Sequence, residues 1–354
     1  MESYDIKEIT EAGAWDDYVG KHPHTTPYHQ YAFCEAVRKT YHHSLKWLAA
    51  LARDGTIAGI LPLYRVGSFL FGNGWISIPF CDYGGILAQS DDTASLLAAY
   101  GTQICNDTGY RYLELRQTVP LRCFDEHNDG NEYHVVRKDA KVRMRLPLPS
   151  RAGDLFDGFP SKLRSQIRRP GKEGCTVQSG GLDLLDDFYA VFVRNMRDLG
   201  SPVHSKSLMK NWLLLAPKHT RLFVVYKNRL PLAGSFVVGS GDTLVNPWAS
   251  SDKRFGRIAP NMLLYWGMLE YAIESGYRFF DFGRSSVGEG TYRFKAQWGA
   301  QPETLHWYYT YKDSPPPEPE NDGERKAKFS AAWRSLPLWG TRILGPFLRR
   351  QIPL

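Results

Sequence analysis

Between Trp15 and Arg38 the apolar positions Trp15, Tyr18, Tyr28, Phe33 and Val37 recur at helical spacing, and the loop from His22 to Pro27 divides them into two short amphipathic helices. Leu45–Leu51 and Ile57–Tyr64 are then apolar runs of strand length on either side of Arg53-Asp-Gly55. Asp-Gly supplies the positive φ angles of a tight turn, so the two runs predict a β-hairpin. Short strands are expected at Phe69–Phe71 and Trp75–Ile78, followed by the turn Pro79-Phe-Cys-Asp-Tyr-Gly-Gly85. A helix from about Asp92 to Asp107 leads into a strand, Tyr110–Arg116.

The second half repeats this order. Leu182–Arg197 and Ser205–Ala216 read as helices, Arg221–Tyr226 and Leu232–Val238 as a hairpin joined by residues 227–231, Thr243–Ala249 as a strand, and Pro260–Glu274 as a helix. The residues echo one another too: GYRYLELR at 109–116 resembles GYRFFDFGR at 276–284, and LAALARDGTIAGILPLY resembles LFVVYKNRLPLAGSFVV. Duplication of one α/β unit explains the shared order, although two common hairpins alone would give part of the likeness. The polar, irregular stretch Thr118–Val142 marks a boundary, so the expected domains are 1–142, 143–312 and a tail, 313–354. The expected fold class is α/β (α+β).

The aromatic strand Tyr277–Phe282 is expected to break at Gly283, where a residue without Cβ can turn sharply. Beyond it lie Arg284 to Gly290, the segment Tyr292–Gly299 containing Lys295, and an aromatic strand His306–Tyr309. Arg284 and Lys295, held on glycine-rich backbone between apolar strands, suit an anion; a hairpin with solvated cations is the other reading. A second cationic element follows Ser161, which can cap a helix carrying Lys162, Arg164, Arg168 and Arg169 until Pro170-Gly171 stops it. No acid lies between Pro160 and Lys172 to pair with this strip, so phosphate binding and a solvated face both fit. The tail opens with a stiff, proline-rich linker after Asp313. Residues 325–354 then carry Arg and Lys but no acid, among Phe329, Trp333, Leu336, Leu338, Trp339, Ile343, Leu344 and Phe347. A basic amphipathic segment at a membrane interface and docking onto the protein's own surface are both open.

Composition narrows the classes. Of 354 residues 43% are hydrophobic, enough for substantial cores, and 44 Lys+Arg against 37 Asp+Glu give a charge of +7 that favours anionic partners. Cys34, Cys81, Cys105, Cys123 and Cys175 are odd in number and scattered without any CxxC pair, which indicates reduced thiols and neither a disulfide framework nor a zinc site. No segment offers the roughly twenty apolar residues of a membrane span. The expected location is the cytoplasm, at the inner membrane face if the tail binds lipid. HExxH, GxSxG, P-loop and dinucleotide GxGxxG motifs are all absent, and the ten histidines give no metal spacing beyond His22/His24 and His42/His43. No metal or bound cofactor is expected. His29, His204 and His306 are the candidate bases, each beside aromatic residues that suit a structural role as well.

The segments Asp281-Phe-Gly-Arg-Ser285 and Phe294-Lys-Ala-Gln-Trp-Gly299, preceded by Pro260-Asn-Met-Leu-Leu-Tyr-Trp266, resemble the FemAB family of peptidoglycan-bridge aminoacyltransferases. The likeness extends to Leu163-Arg164 with Ile167-Arg168, Arg197-Asp-Leu-Gly200, Asp82-Tyr-Gly-Gly85 and the Trp333 to Pro337 tail, and within the family it is nearest the exosortase (PEP-CTERM) system-associated branch. The resemblance implies two tandem acetyltransferase-like (GNAT) domains about an interdomain cleft. It also implies aminoacyl transfer, from aminoacyl-tRNA in characterised relatives, onto an amine of a phosphate-bearing cell-wall or exopolysaccharide precursor. Lys295 would stabilise charge developing on the acyl carbonyl and leaving group, with no protein base required. Arg164, Arg168, Asp82, Tyr83, Asp281, Arg284 and Tyr292 would contact substrate. A long helical arm for tRNA has no counterpart here, and the acyl-CoA loop of ordinary acetyltransferases survives only as Arg254-Phe-Gly-Arg-Ile-Ala259, so acyl-CoA stands as the alternative donor. A silent adaptor in a polysaccharide or exosortase system is the reading from another class. The first copy lacks any Phe-Lys-x-x-Trp-Gly sequel after Arg116, which assigns acyl transfer to the second.

Overall fold

The computed structural model describes residues 4–68, 72–124, 133–313, 315 and 323–353. Two compact units emerge: residues 1–142, 303–322 and 350–354 form one, and residues 143–302 and 323–349 the other. Their boundaries depart from the expected 143–312 and 313–354 because the chain crosses back and forth after the second repeat.

In the first unit β1 (Asp5–Glu8) precedes two helices, α1 (Ala12–Lys21) and α2 (Tyr31–Tyr41), then the hairpin β2 (Ser44–Leu51) and β3 (Ile57–Ser68). β4 (Gly72–Ile76), the short β5 (Leu87–Ala88), α3 (Asp91–Asp107), β6 (Tyr112–Gln117) and β7 (His134–Lys138) follow. Leu48, Leu61, Leu63 and Trp75 of the strands pack with Leu97 of α3 in a buried cluster. The hairpin matches its Asp-Gly prediction, and α1, α2 and α3 lie where apolar spacing placed them. Phe69–Phe71 lies outside the described residues.

The second unit comprises β8 (Lys141–Pro147), α4 (Ala152–Gly158), α5 (Ser161–Lys172), β9 (Cys175–Gly180), α6 (Leu185–Leu199), α7 (Lys206–Leu215), β10 (Thr220–Lys227), β11 (Leu230–Ser240) and β12 (Thr243–Ser251). α8 (Pro260–Glu274), β13 (Phe279–Ser286), α9 (Gly290–Ala296) and β14 (Gln301–Thr304) complete the repeat. Register shows how its sheet is covered. Leu222 pairs with Phe236 and Phe223 with Ser235, so neighbouring positions point to opposite faces. Phe236 meets Phe188 of α6 and stacks on Trp212 of α7 at 5.2 Å, while Phe223 meets Tyr271 of α8 edge-on at 5.5 Å. Helices therefore cover both faces.

Duplication is evident in the sheets themselves. The first sheet runs β1-β2-β3-β4-β6-β15-β7, where β15 is His306–Tyr311, and the second runs β9-β10-β11-β12-β13-β8-β14. β4 pairs in parallel with β6 from Gly74↔Tyr112 to Ile76↔Glu114, and β12 with β13 from Thr243↔Phe279 to Val245↔Asp281. The echoed GYR segments thus occupy equivalent registers. The sixth strand of each sheet is exchanged: β8 continues directly from β7, and β15 directly from β14. His306–Tyr309, which seemed to close the second repeat, instead pairs with β6 from His306↔Gln117 to Tyr311↔Tyr112. The stretch 118–142, read as irregular, contains β7 and the start of β8.

Three other expectations change. β13 does not break at Gly283; it continues to Ser286 with Gly283 at φ 74°. Pro170 lies inside α5, near enough to its end to cost one hydrogen bond without stopping the helix. Ser161 is the first helical residue and caps nothing, the cap position being Pro160. In the tail, residues 316–322 of the proline-rich linker lie outside the described residues, while α10 (Gly323–Ser335) and α11 (Leu338–Arg349) join the second unit.

Burial holds several histidines neutral. His29, whose Nε2 donates to the Gly85 carbonyl, is pushed down to about 3, and His43, whose Nε2 donates to the Arg350 carbonyl, to about 4. The unfolded chain takes up protons on these rings below about pH 6.5 while the folded chain does not, so stability falls as pH drops from there toward the folded values. Thermal unfolding followed from about pH 7 to about 4.5 should show a falling Tm, at a cost of up to about 1.4 kcal/mol per ring per pH unit. His43→Gln should make that decline shallower.

Candidate functional site

β12 and β13 pair in parallel only as far as Val245↔Asp281, although β12 runs on to Ser251 and β13 to Ser286. A crossover helix makes such a parallel pair possible, since adjacent parallel strands cannot be joined by a tight turn. Where the two strands part, their facing N–H and C=O groups are no longer spent on each other. Asn246 and Pro247 stand at that point, and the shift in β11–β12 register between Phe236 and Val238 marks a bulge there.

The side chains around the parting are polar and buried. Asp281 accepts a hydrogen bond from the Gly283 N–H at 2.7 Å, and Arg143 of β8 stands 4.0 Å from its other oxygen. The Ser235 hydroxyl donates to Asn246 Oδ1 at 2.9 Å. Burial in α8 pushes the Tyr265 phenol well above its ordinary range, and its hydrogen bond to Asn246 opposes that shift. Ser285 is 4% exposed, and its hydroxyl has no hydrogen-bond partner among the described residues. An unpaired buried hydroxyl costs roughly 1–3 kcal/mol, so one retained at a strand parting invites a ligand.

Lys295 sits on α9, which the Tyr265, Phe294 and Trp298 rings anchor. Its ammonium is buried and donates to the carbonyls of Gly283, at 3.0 Å, and Arg284, at 2.7 Å. The residue therefore clips α9 to the far end of β13. Arg284 and Tyr292 are half-buried on β13 and α9, so Asp281, Arg284, Tyr292 and Lys295 share one region of the second unit.

The equivalent place in the first unit is filled. Beyond Ile76↔Glu114, Arg116 is 1% exposed; its guanidinium pairs with Glu114 at 2.7 Å and donates to the carbonyls of Ile78, Cys81 and Pro353. The Trp307 ring covers it at 4.8 Å, and the Phe80 N–H also donates to the Pro353 carbonyl. Asp82 and Tyr83 belong to this region. The Asp82 carbonyl accepts from Trp307 Nε1, and the Tyr83 ring is buried against Tyr28 at 5.2 Å. Neither is brought together with Lys295 within one unit.

Arg164 donates to the Asp157 carbonyl at 2.9 Å, and Arg168 lies over the Phe156 ring at 4.9 Å, so both partly serve to seat α4. The candidate bases are committed elsewhere: His29 to Gly85 and Thr26, His204 as acceptor from Arg349 at 3.1 Å, and His306 to Arg137. Sequence reading missed Ser235, Asn246, Tyr265 and Ser285. Polar residues and a proline inside otherwise apolar strands were the signal available.

Residues 159–296 match the acetyltransferase (GNAT) domain family. The sequence has no significant match among curated proteins. Among solved structures, FemX superposes with a TM-score of 0.65 at 15% identity, covering 85% of this chain and 96% of FemX. A tandem GNAT protein from the clavulanic acid biosynthesis pathway gives 0.55 at 11% identity, over 88% of this chain and 99% of its own. L-PGS from Bacillus licheniformis gives 0.51 at 13%, over 95% and 99%. Residues 159–296 therefore match a GNAT acetyltransferase domain, and the chain has the fold of the tandem GNAT proteins.

Proposed function

We propose that the second unit transfers an acyl or aminoacyl group to an amine of a phosphate-bearing cell-envelope or exopolysaccharide precursor. The observation that carries this reading is the contrast between the two strand partings. Arg116 fills the first, whereas at the second the corresponding position is Gly283, with an unpartnered Ser285 two residues on. A substrate amide or carbonyl can enter where β12 and β13 part, much as an added strand would. The amine attacks the donor carbonyl carbon; a C–N bond forms, the ester C–O or thioester C–S bond breaks, and the amine proton ends on the leaving oxygen or sulfur. Donors preorganised on backbone N–H groups stabilise the oxyanion of that step. Lys295 serves as a positioning residue that holds Gly283 and Arg284 and lends positive charge behind them, and Arg164 and Arg168 hold phosphate. The exosortase-associated branch remains the finer family reading.

The start of α8 favours acyl-CoA as the second donor reading. Ala259 at its cap is left-handed and makes no side-chain cap bond, and Arg257 precedes it, while Lys253 and Arg254 are paired with Asp198 and Asp252. In the first unit Ser90 caps α3 through the Thr93 N–H, and Asp91 and Asp92 stand in its first turn. An anion is welcome at the former and repelled at the latter.

Parallel titration with acetyl-CoA and aminoacyl-tRNA should show binding and turnover with one donor. Absence of acylated product from either, with an amine-bearing, phosphate-bearing precursor present, would overturn the proposal. Ser285→Ala should lower kcat/KM about tenfold while raising Tm, because the unpaired buried hydroxyl is removed. Lys295→Ala should lose on the order of 1–3 kcal/mol of stability, from two orphaned carbonyls, and about a hundredfold in kcat, with partial recovery in Lys295→Arg. Full activity in Lys295→Ala would remove the role given to it.

A further inference from the structure

We propose that the outer face of α11 is a docking surface for an anionic phospholipid bilayer, lying on the membrane without crossing it. The helix is seated in the second unit by one side. Gly340, Thr341 and Gly345 are buried, and a Cβ at Gly345 would stand 2.7 Å from Val203. Arg349 donates to His204, whose burial holds it neutral and able to accept, and Arg342 lies over the Tyr189 ring at 5.7 Å. α10 is fixed by Ser330, which donates to the Gly200 carbonyl, and by Trp333, buried and stacked on Phe329.

Seating the pair leaves the apolar face of α11 outward. Trp339 is 70% exposed, Ile343 68% and Phe347 63%, at i, i+4 and i+8, with Leu344 exposed beside them. Three neighbouring large apolar side chains at this exposure are far from the scattered single residues usual on a protein surface. The charge around them selects the occupant. Residues 325–354 hold no acid, and Arg334, Arg342 and Arg350 are exposed on or beside the two helices, while Lys328 is paired with Glu324 of α10. An apolar stripe carrying tryptophan, flanked mainly by cations, matches the boundary between acyl chains and anionic headgroups. Among the described residues no helix is long and apolar enough to cross a membrane, so α11 lies in the plane. The inference concerns binding and stands apart from acyl transfer.

The full chain should cosediment with phosphatidylglycerol/phosphatidylcholine vesicles and much less with phosphatidylcholine alone, the binding weakening as salt rises from about 0.05 to about 0.5 M. The triple variant Trp339→Ser, Ile343→Ser, Phe347→Ser should keep its Tm and lose at least tenfold in vesicle binding. Equal binding by variant and wild type would overturn the proposal. So would a wild type that ignores anionic vesicles but is a dimer that the variant converts to monomer, since the face would then belong to a second copy of the chain.

Discussion

The parallel pairing of β4 with β6 and of β12 with β13 is the constraint on which the rest of the molecule turns. Parallel neighbours require a helix to carry the chain back, which is why α3 and α8 stand between them in sequence. Twist then works against long pairing, and each pair holds for three residues before the strands separate. A parting of this kind is a defect in a sheet unless something occupies it. The two copies resolve the defect in opposite ways.

In the first copy the solution is internal. Arg116 extends into the opening and satisfies three carbonyls while Glu114 balances its charge, at the cost of burying an ion pair that repays itself only when every hydrogen bond is made. In the second copy the equivalent carboxylate, Asp281, turns to the backbone N–H of Gly283, and no side chain arises at Gly283 to enter the opening. Lys295 approaches from behind and fixes the strand end. One duplicated scaffold thereby contains a parting filled by its own arginine and a second whose equivalent position carries no side chain.

Much of this was legible in the residues. α8 begins at Pro260, a residue suited to the first helical turn, and its bounds agree with the sequence reading; Asp54-Gly55 placed the first hairpin; and the GYR echo pointed to duplication later seen in the register. The misreadings came from information that is not local. Gly283 resembles a strand end, yet β8 lies along the other edge of β13 and the strand persists. Lys295 and Arg284 looked like paired cations facing a ligand, but the ammonium is turned onto backbone carbonyls, a choice fixed by the helical form of α9 that no spacing disclosed. Ser285 and Asn246 were invisible as site residues because their meaning lies in which strand stops pairing beside them.

The exchange of β8 and β15 gives the molecule an order in time. A ribosome delivers β6 and β7 long before β15, the strand that belongs between them, so the nascent first repeat carries open strand edges while the whole second repeat is made. The second repeat, by contrast, receives β8 in advance. Such a chain completes its second sheet first and its first sheet last, and in the interval its exposed edges are a template for wrong pairing, the kind of intermediate on which chaperones act.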